Sequence, residues 1–288
     1  MNTQELEKKA NEVRTDIVKM LTEAKSGHSA GSLGMADVFT ALYFGGIVKH
    51  DPKNPKWEER DRVILSNAHI CPVWYAVLAH AGYFPVKELK TLRKLGSRLQ
   101  GHPSRLHLDC METSAGSLAQ GLSIACGMAY NFAKLNPSTG LGQTKNWVWC
   151  LTSDGEHDEG QIWEAAMFAG KNKLFNLTQI MDRNNIQIDG YTEDVMPLEP
   201  LREKYEAFGW HVLDVDGHNI EEIIDACAKS KAIFEKPTLI IAHTIPGKGV
   251  DFVEWKYSWH GKVPCPEEEK KALACLRTLG GKIKSEND

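Results

Sequence analysis

The sequence predicts an α/β fold, a parallel β-sheet flanked by helices on both faces. Two observations predict it. From Asn146 onward short apolar runs alternate with helical patterns: "NWVWCL", a helix, "NLTQIM", a helix near 201–208, "WHVLDV", a helix from Ile220, and "PTLIIAHTI". That alternation is the signature of βαβ units, because parallel strands need a crossover between them. The second observation is size: 288 residues, 42% hydrophobic and 25% charged, suffice for a large core, as one large domain or two small ones.

The N-terminal part is helical. Leu6, Ala10, Val13, Ile17, Leu21 and Ala24 recur at helical spacing, and the pattern stops near Ser26-Gly27. A second helix is expected over 35–44. After a polar, Pro-containing loop at 51–60, "RVILS" reads as a strand, followed by helices over 73–80 and 86–95. The segment "GHPSRLHLDCMETSAGS" has no periodicity and reads as a loop leading into a helix over 118–133. After Pro266 the tail reads as helical, then frayed.

Several classes are excluded by composition. A net charge of -4 with dispersed Lys and Arg argues against nucleic acid and anionic membranes as partners. The start, "MNTQELEKKANEVR", lacks the apolar segment of a secretory signal, which predicts a cytoplasmic protein. The longest uncharged run, 113–133, is broken by Ser, Gln, Asn and Gly and reads as a buried helix rather than a membrane span. Seven Cys with no two-residue spacing argue against a disulfide framework or a zinc site.

The chemistry concentrates where two predicted strands end. If "NWVWCL" and "NLTQIM" are parallel neighbours, Asp154 and Asn184 fall on the same carboxyl edge of the sheet, where open α/β sheets bind ligands. A carboxylate, an amide oxygen and a backbone carbonyl from the following loop are hard oxygen ligands. They suit Mg²⁺ or Ca²⁺ carrying a diphosphate. Gly155 allows close backbone approach, and the next helix, with Ile162, Ala165, Ala166 and Ala169 on one face, offers a positive N-terminal end. An Asp-Gly turn and an Asn-Asn loop, each alone, are more often merely turns; their shared position after two strands raises the metal-site reading to parity.

At this point the sequence resembles the transketolase family. "DGEHDEGQIWEAAMFAGKNKLFNLTQIMDRNNIQIDG" is similar to its thiamine diphosphate motif, "KSGHSAGSLGMADVFTALYF" to its first His segment, and "RDRVILSNAHICPVWYAVLAHAGY" to its second. "LQGHPSRLHLDCMETSAGSLAQGLSIACGMA" is similar to its Gly-His-Pro and Gly-rich segments, and "SWHG" to its last His segment. The resemblance implies that Asp154, Asn184 and the carbonyl of Ile186 hold the cation and that Gly155 approaches the diphosphate. It implies that Gly116, Ser117 and Leu118 lie against the cofactor. His28, His69, His102 and His260 would line the cleft around the thiazolium ring and the sugar, with His69 and His260 touching the cofactor. For a lone His a structural role is the safer reading, and His80, His107, His157, His211, His218 and His243 receive no function.

The implied activity is that of a transketolase, a glycolaldehyde transferase. It moves a two-carbon ketol unit from a ketose phosphate to an aldose phosphate with thiamine diphosphate and Mg²⁺ (or Ca²⁺). The cofactor stabilises the carbanion, and imidazoles that titrate near neutrality move protons and bind hydroxyls. Glu159 and Glu164 match glutamates that in the family lie at the subunit interface and help link the two active sites, which puts them with the catalytic set, although acids at a helix start are also favoured by its dipole. Residues 1–288 would form a single diphosphate-binding domain, with a helical segment at 1–60 and a polar tail at 267–288. The resembled enzymes continue into a second domain that grips the pyrimidine ring, so the chain is either a fragment or, the reading preferred here, one subunit of a split enzyme, paired with a C-terminal partner subunit as a heterotetramer.

Three positions depart from the family pattern: Ser153 for Gly, Ser29 for Pro, and Pro246 for a Lys. Ser153 is tolerable only with negative φ. The α subunit of a 2-oxo acid dehydrogenase and a 1-deoxyxylulose 5-phosphate synthase-like half fit the His segments less well. A non-catalytic cofactor-binding regulator would not need the four His.

Overall fold

The inner strands of the central sheet are short and buried almost throughout, as strands covered on both faces must be, whereas the edge strand at 211–216 is only partly buried. The computed structural model describes residues 1–135 and 144–278. The five strands are β1 (Arg62–Leu65), β2 (Val148–Ser153), β3 (Leu177–Arg183), β4 (His211–Asp216) and β5 (Thr238–His243). They form one sheet in the order β1-β2-β3-β5-β4, and every pair is parallel. The expected α/β class and the neighbouring of β2 and β3 are both found.

Side chains alternate between two cores. Trp149, Leu151, Ile180, Ile240 and Ala242 enter one, with Val63 and Leu65 from β1. Val148, Cys150, Leu177, Met181, Leu239 and Ile241 enter the other, with Ile64. This is the two-residue period of a strand expressed as two separate clusters.

Helices α1 (Thr3–Ala24), α2 (Ala30–Gly34), α3 (Ala36–Phe44) and α4 (Cys71–His80) supply most of the first core's cover. Helices α5 (Gln120–Tyr130) and α6 (Gly160–Lys171) cover the second. The chain continues through α7 (Thr192–Val195), α8 (Leu201–Ala207), α9 (Ile220–Ala232) and α10 (Pro266–Thr278). Helix α8 joins the second core through Leu201 and Tyr205, whereas α9 joins the first through Ile220, Ile223, Ala226 and Cys227. A capping box between Asn2 and Glu5 starts α1, and Lys25 with φ 54° ends it one residue before the predicted Ser-Gly stop.

Two helix expectations are corrected. The segment expected as a helix over 86–95 is only a 3₁₀ turn, Val86–Thr91, after which Arg93 takes φ 60° and reverses the chain. The helix expected from Leu118 starts at Gln120, because Ala119 takes φ 71°, and its α-helical part ends at Tyr130. A left-handed residue cannot continue a right-handed helix. The predicted tail is helical to Thr278, and residues 279–288 lie outside the described residues. Among the described residues none of the seven Cys forms a disulfide. Among the described residues no helix is long and apolar enough to cross a membrane.

Candidate active site

At the carboxyl edge of β2 and β3 the register pairs Ser153 with Asp182, so the residues just beyond, Asp154 and Asn184, leave the sheet side by side. Ser153 closes β2 and is not among the residues with positive φ, so the departure from Gly carries no strain. Asp154 is fully buried. Its Oδ1 accepts from Gly155 N at 2.8 Å. Its Oδ2 accepts from Asn185 N at 2.6 Å, Arg183 Nη1 at 3.1 Å and Thr192 Oγ1 at 3.3 Å. Burial raises its pKa, against the opposing pull of Arg183.

Asn184 is held just as firmly. Its Nδ2 donates to Asp182 Oδ2 at 2.7 Å, which settles the amide orientation, and its Oδ1 accepts from Ile186 N at 3.1 Å. Asp182 also accepts from Thr244 Oγ1. Burial pushes its carboxyl up to about 7. Asp154 Oδ1 and Asn184 Oδ1 therefore each carry one N–H donor and keep a lone pair. Among the described residues no group of three or more His, Cys, Asp or Glu could hold a metal. The candidate cation set is thus one carboxylate, one amide oxygen and a carbonyl. These are hard oxygens that leave positions for phosphate oxygens, and the donor chemistry fits a Mg²⁺ or Ca²⁺ diphosphate.

Above this edge lies a cleft of about 310 Å³. It brings together His28, His69, His102 and His260 with Gly116, Leu118, Gly155, Glu156, Asn184 and Ile186. Each His arrives by its own route. His28 follows Gly27, whose φ of 137° turns the chain out of α1. His69 sits on a single 3₁₀ turn after β1, and His260 follows another at Tyr257–Trp259. The departing Ser29 donates from Oγ to Lys262 O at 2.6 Å, tying the first His segment to the last.

The rings of His28, His69 and His260 form a triangle with centroid separations of 5.0, 5.4 and 5.0 Å. Burial is the first cause that lowers their proton affinity, and repulsion from neighbouring imidazoles adds to it at His28 and His69. His28 is pushed down to about 4, and His69 falls well below its ordinary value; His102 and His260 are lowered too. The imidazoles are neutral at neutral pH, each with one donor and one acceptor nitrogen. The buried Nδ1 of His28 has no hydrogen-bond partner among the described residues. An orphaned buried nitrogen in a cleft is an opening for a ligand atom.

Not every expected residue lines this cleft. Ser117 is exposed beside it, and Asp154 lies beneath it. Glu159 caps the start of α6 without a side-chain hydrogen bond to it, and Glu164 is one turn further on; both are exposed, away from the His triangle. At Gly155 a Cβ would stand 2.9 Å from Gln187 Cγ, so its nearest steric reason is the loop that carries Ile186. Gly116 has open space where a Cβ would be.

Residue-by-residue reading of the sequence misses Glu156. It is fully buried and joins three segments: it accepts from Ser66 Oγ, from Ala119 N at 2.6 Å and from Ser153 N at 3.1 Å. Ser66 Oγ in turn accepts from Gly121 N at 3.1 Å, linking the carboxylate to the start of α5. Burial raises Glu156 to about 7, with these hydrogen bonds opposing. Arg183 is also missed: it joins Asp154 to Glu193 at 2.5 Å and Glu199 at 3.1 Å, clamping the loop after β3. The one signal for it is adjacency to Asn184. His157 proves structural, bonded to Ser153 O at 2.7 Å and Tyr205 Oη at 2.8 Å.

Comparison with known proteins agrees with this geometry. Residues 6–280 match the family described as transketolase, thiamine diphosphate binding domain. The 6-deoxy-6-sulfo-D-fructose transketolase subunit of Clostridium sp. (strain MSTE9) is 42% identical over 276 residues, 96% of this chain and 98% of that protein. An apulose-4-phosphate transketolase subunit from Phocaeicola vulgatus is 38% identical over 288 residues, 100% of this chain and 99% of that one. Human transketolase is 40% identical over 270 residues, which cover 92% of this chain but 40% of the human protein. The crystal structure of transketolase from Campylobacter jejuni superimposes with a TM-score of 0.89 at 36% identity, covering 96% of this chain and 43% of that one. The chain thus spans nearly all of two proteins named as subunits and about two fifths of the single-chain enzymes. A cleft of neutral imidazoles over a hard-oxygen edge and a family match along nearly the whole length lead to one conclusion: the chain belongs to the transketolase family, as its N-terminal, thiamine diphosphate-binding domain.

Proposed function

We propose that this chain is the N-terminal subunit of a two-chain transketolase that moves a two-carbon ketol unit from a ketose phosphate to an aldose phosphate. It works only with a C-terminal partner subunit, as a heterotetramer in the cytoplasm. The observation that carries the reading is the triangle of His28, His69 and His260 rings, 5.0 to 5.4 Å apart, over the edge that bears Asp154 and Asn184. Its support as a separate subunit is the match along the whole length of two relatives named as subunits.

Thiamine diphosphate, when bound, supplies the electron sink for carbon-carbon bond scission. The rest of the work falls to the chain. Asp154 Oδ1, Asn184 Oδ1 and the Ile186 carbonyl hold the cation, Gly155 faces the diphosphate, and Gly116, Ser117 and Leu118 lie along the cofactor. Neutral His28, His69, His102 and His260 can each accept a proton from one sugar hydroxyl and donate a hydrogen bond to another. Glu159 and Glu164, exposed on α6, face another subunit. Residues 1–288 act as one diphosphate-binding domain.

The test is to purify the chain alone and with its partner, and to assay both with xylulose 5-phosphate and ribose 5-phosphate plus thiamine diphosphate and Mg²⁺. Transfer is expected only from the pair. Asp154→Ala should abolish cofactor binding, measured by calorimetry, while leaving assembly intact. Full activity from the single chain, or unchanged cofactor affinity in Asp154→Ala, would overturn the reading.

A further inference from the structure

The reversal after the 3₁₀ turn at Val86–Thr91 leaves one positive charge without a counter-charge beside the segments that carry His28 and His102. Two neighbouring cations are neutralised: Lys94 by Glu23, and Arg98 by Glu88 through two hydrogen bonds of 2.5 and 2.9 Å. Arg93 has no ion pair among the described residues, and its side chain makes one long hydrogen bond, 3.4 Å from Nη2 to Gly101 O. Yet its position is closely determined. Its backbone takes the left-handed φ of 60°, unusual for a long side chain, and its N–H donates to Leu99 O at 2.9 Å.

The guanidinium lies close to bare backbone. A Cβ added to Gly101 would stand 3.1 Å from its Cζ and 3.2 Å from Nε, and one added to Gly27 would stand 4.0 Å from Nε. Those two glycines immediately precede His102 and His28. The charge is therefore fixed beside two cleft imidazoles, and it contributes to the lowered proton affinity of both. The side chain is exposed, and its other guanidinium N–H groups make no hydrogen bond among the described residues. A planar fork of unengaged donors matches a tetrahedral oxyanion better than any neutral hydroxyl.

We propose that Arg93 is a specificity residue that binds the anionic terminus, phosphate or sulfonate, of the sugar held in the histidine cleft. This rests on the transketolase reading above. In the two-chain enzyme, Arg93→Gln and Arg93→Lys are compared on ribose 5-phosphate and on glycolaldehyde as acceptors, with uncharged erythrulose as donor. A sulfonated and a phosphorylated ketose serve as paired donors in a second arm. The preference of Arg93→Gln for charged over uncharged sugar, as a ratio of kcat/KM, should fall about tenfold or more, with part restored in Arg93→Lys. The second arm shows which oxyanion loses more.

An equal loss on charged and uncharged sugars, or a loss of assembly with the partner, would overturn the proposal and make Arg93 an interface or folding residue. If the wild-type pair transfers no ketol unit, it is the functional reading that fails. Arg93 is then judged on the chain itself, by titrating inorganic phosphate and sulfate while following the ring-proton resonances of His28 and His102. Shifts that vanish in Arg93→Gln support anion binding; shifts that persist, or none in the wild type, refute it.

Discussion

Glu156 shows why one acid among several carries the weight. Asp154, Glu156, Asp158 and Glu159 lie within six residues, yet Glu156 alone of the two glutamates turns inward and accepts from Ser66, Ala119 N and Ser153 N. A Glu156→Gln change would present two N–H donors to these three donors. We expect it to lower stability by about 2–3 kcal/mol, since buried hydrogen bonds to the carboxyl are lost and a donor is set against donors. It should also weaken thiamine diphosphate binding, because Ala119 anchors the 116–118 loop. Urea unfolding and calorimetric titration would check both; Ser66→Ala should show a milder form, about 1 kcal/mol. The residues legible in the sequence were those whose chemistry shows in their type and spacing: Asp154 and Asn184 at two strand ends, and the histidines in their motifs. Glu156 and Arg183 were not legible, because only the third dimension tells which acid is buried and which cation it faces.

Strand positions were legible to within one or two residues, since β2, β3 and β5 carry short apolar runs, are buried almost throughout and are bounded by polar turns. Helix ends were less so where a non-glycine residue takes positive φ, as Arg93 and Ala119 do, because residue type gives no warning. Helix packing adds a case in which propensity misleads. Gly170 lies inside α6, where replacement by Ala should favour the helix by about 1 kcal/mol. However, its Cβ would stand 1.8 Å from Phe208 O, the residue that ends α8. The clash wins: Gly170→Ala should lower stability by about 2–3 kcal/mol and shift the tryptophan fluorescence of the neighbouring Trp210 during denaturant unfolding.

For the whole molecule, the buried imidazoles couple folding to pH. Folded His28 titrates at about 4, against about 6.5 in the unfolded chain. Between those values the unfolded state binds more protons, so the stability that neutral His28 permits is fully present above about pH 6.5 and is lost as pH falls toward 4. Relative to His28→Asn, the wild type should therefore lose stability over that interval, as read from urea midpoints at stepped pH. A variant difference that stays constant from pH 7 to about 4.5 would show that this ring titrates normally.

The bond from Ser29 to Lys262 joins residues 233 positions apart, and the His triangle spans nearly the same interval. The pocket is therefore completed only once residues 260–262 have been made, long after helices α1 to α4. The cofactor cannot serve as a template for early folding, and a chain that stops short of His260 has lost one corner of the triangle however well its sheet assembles.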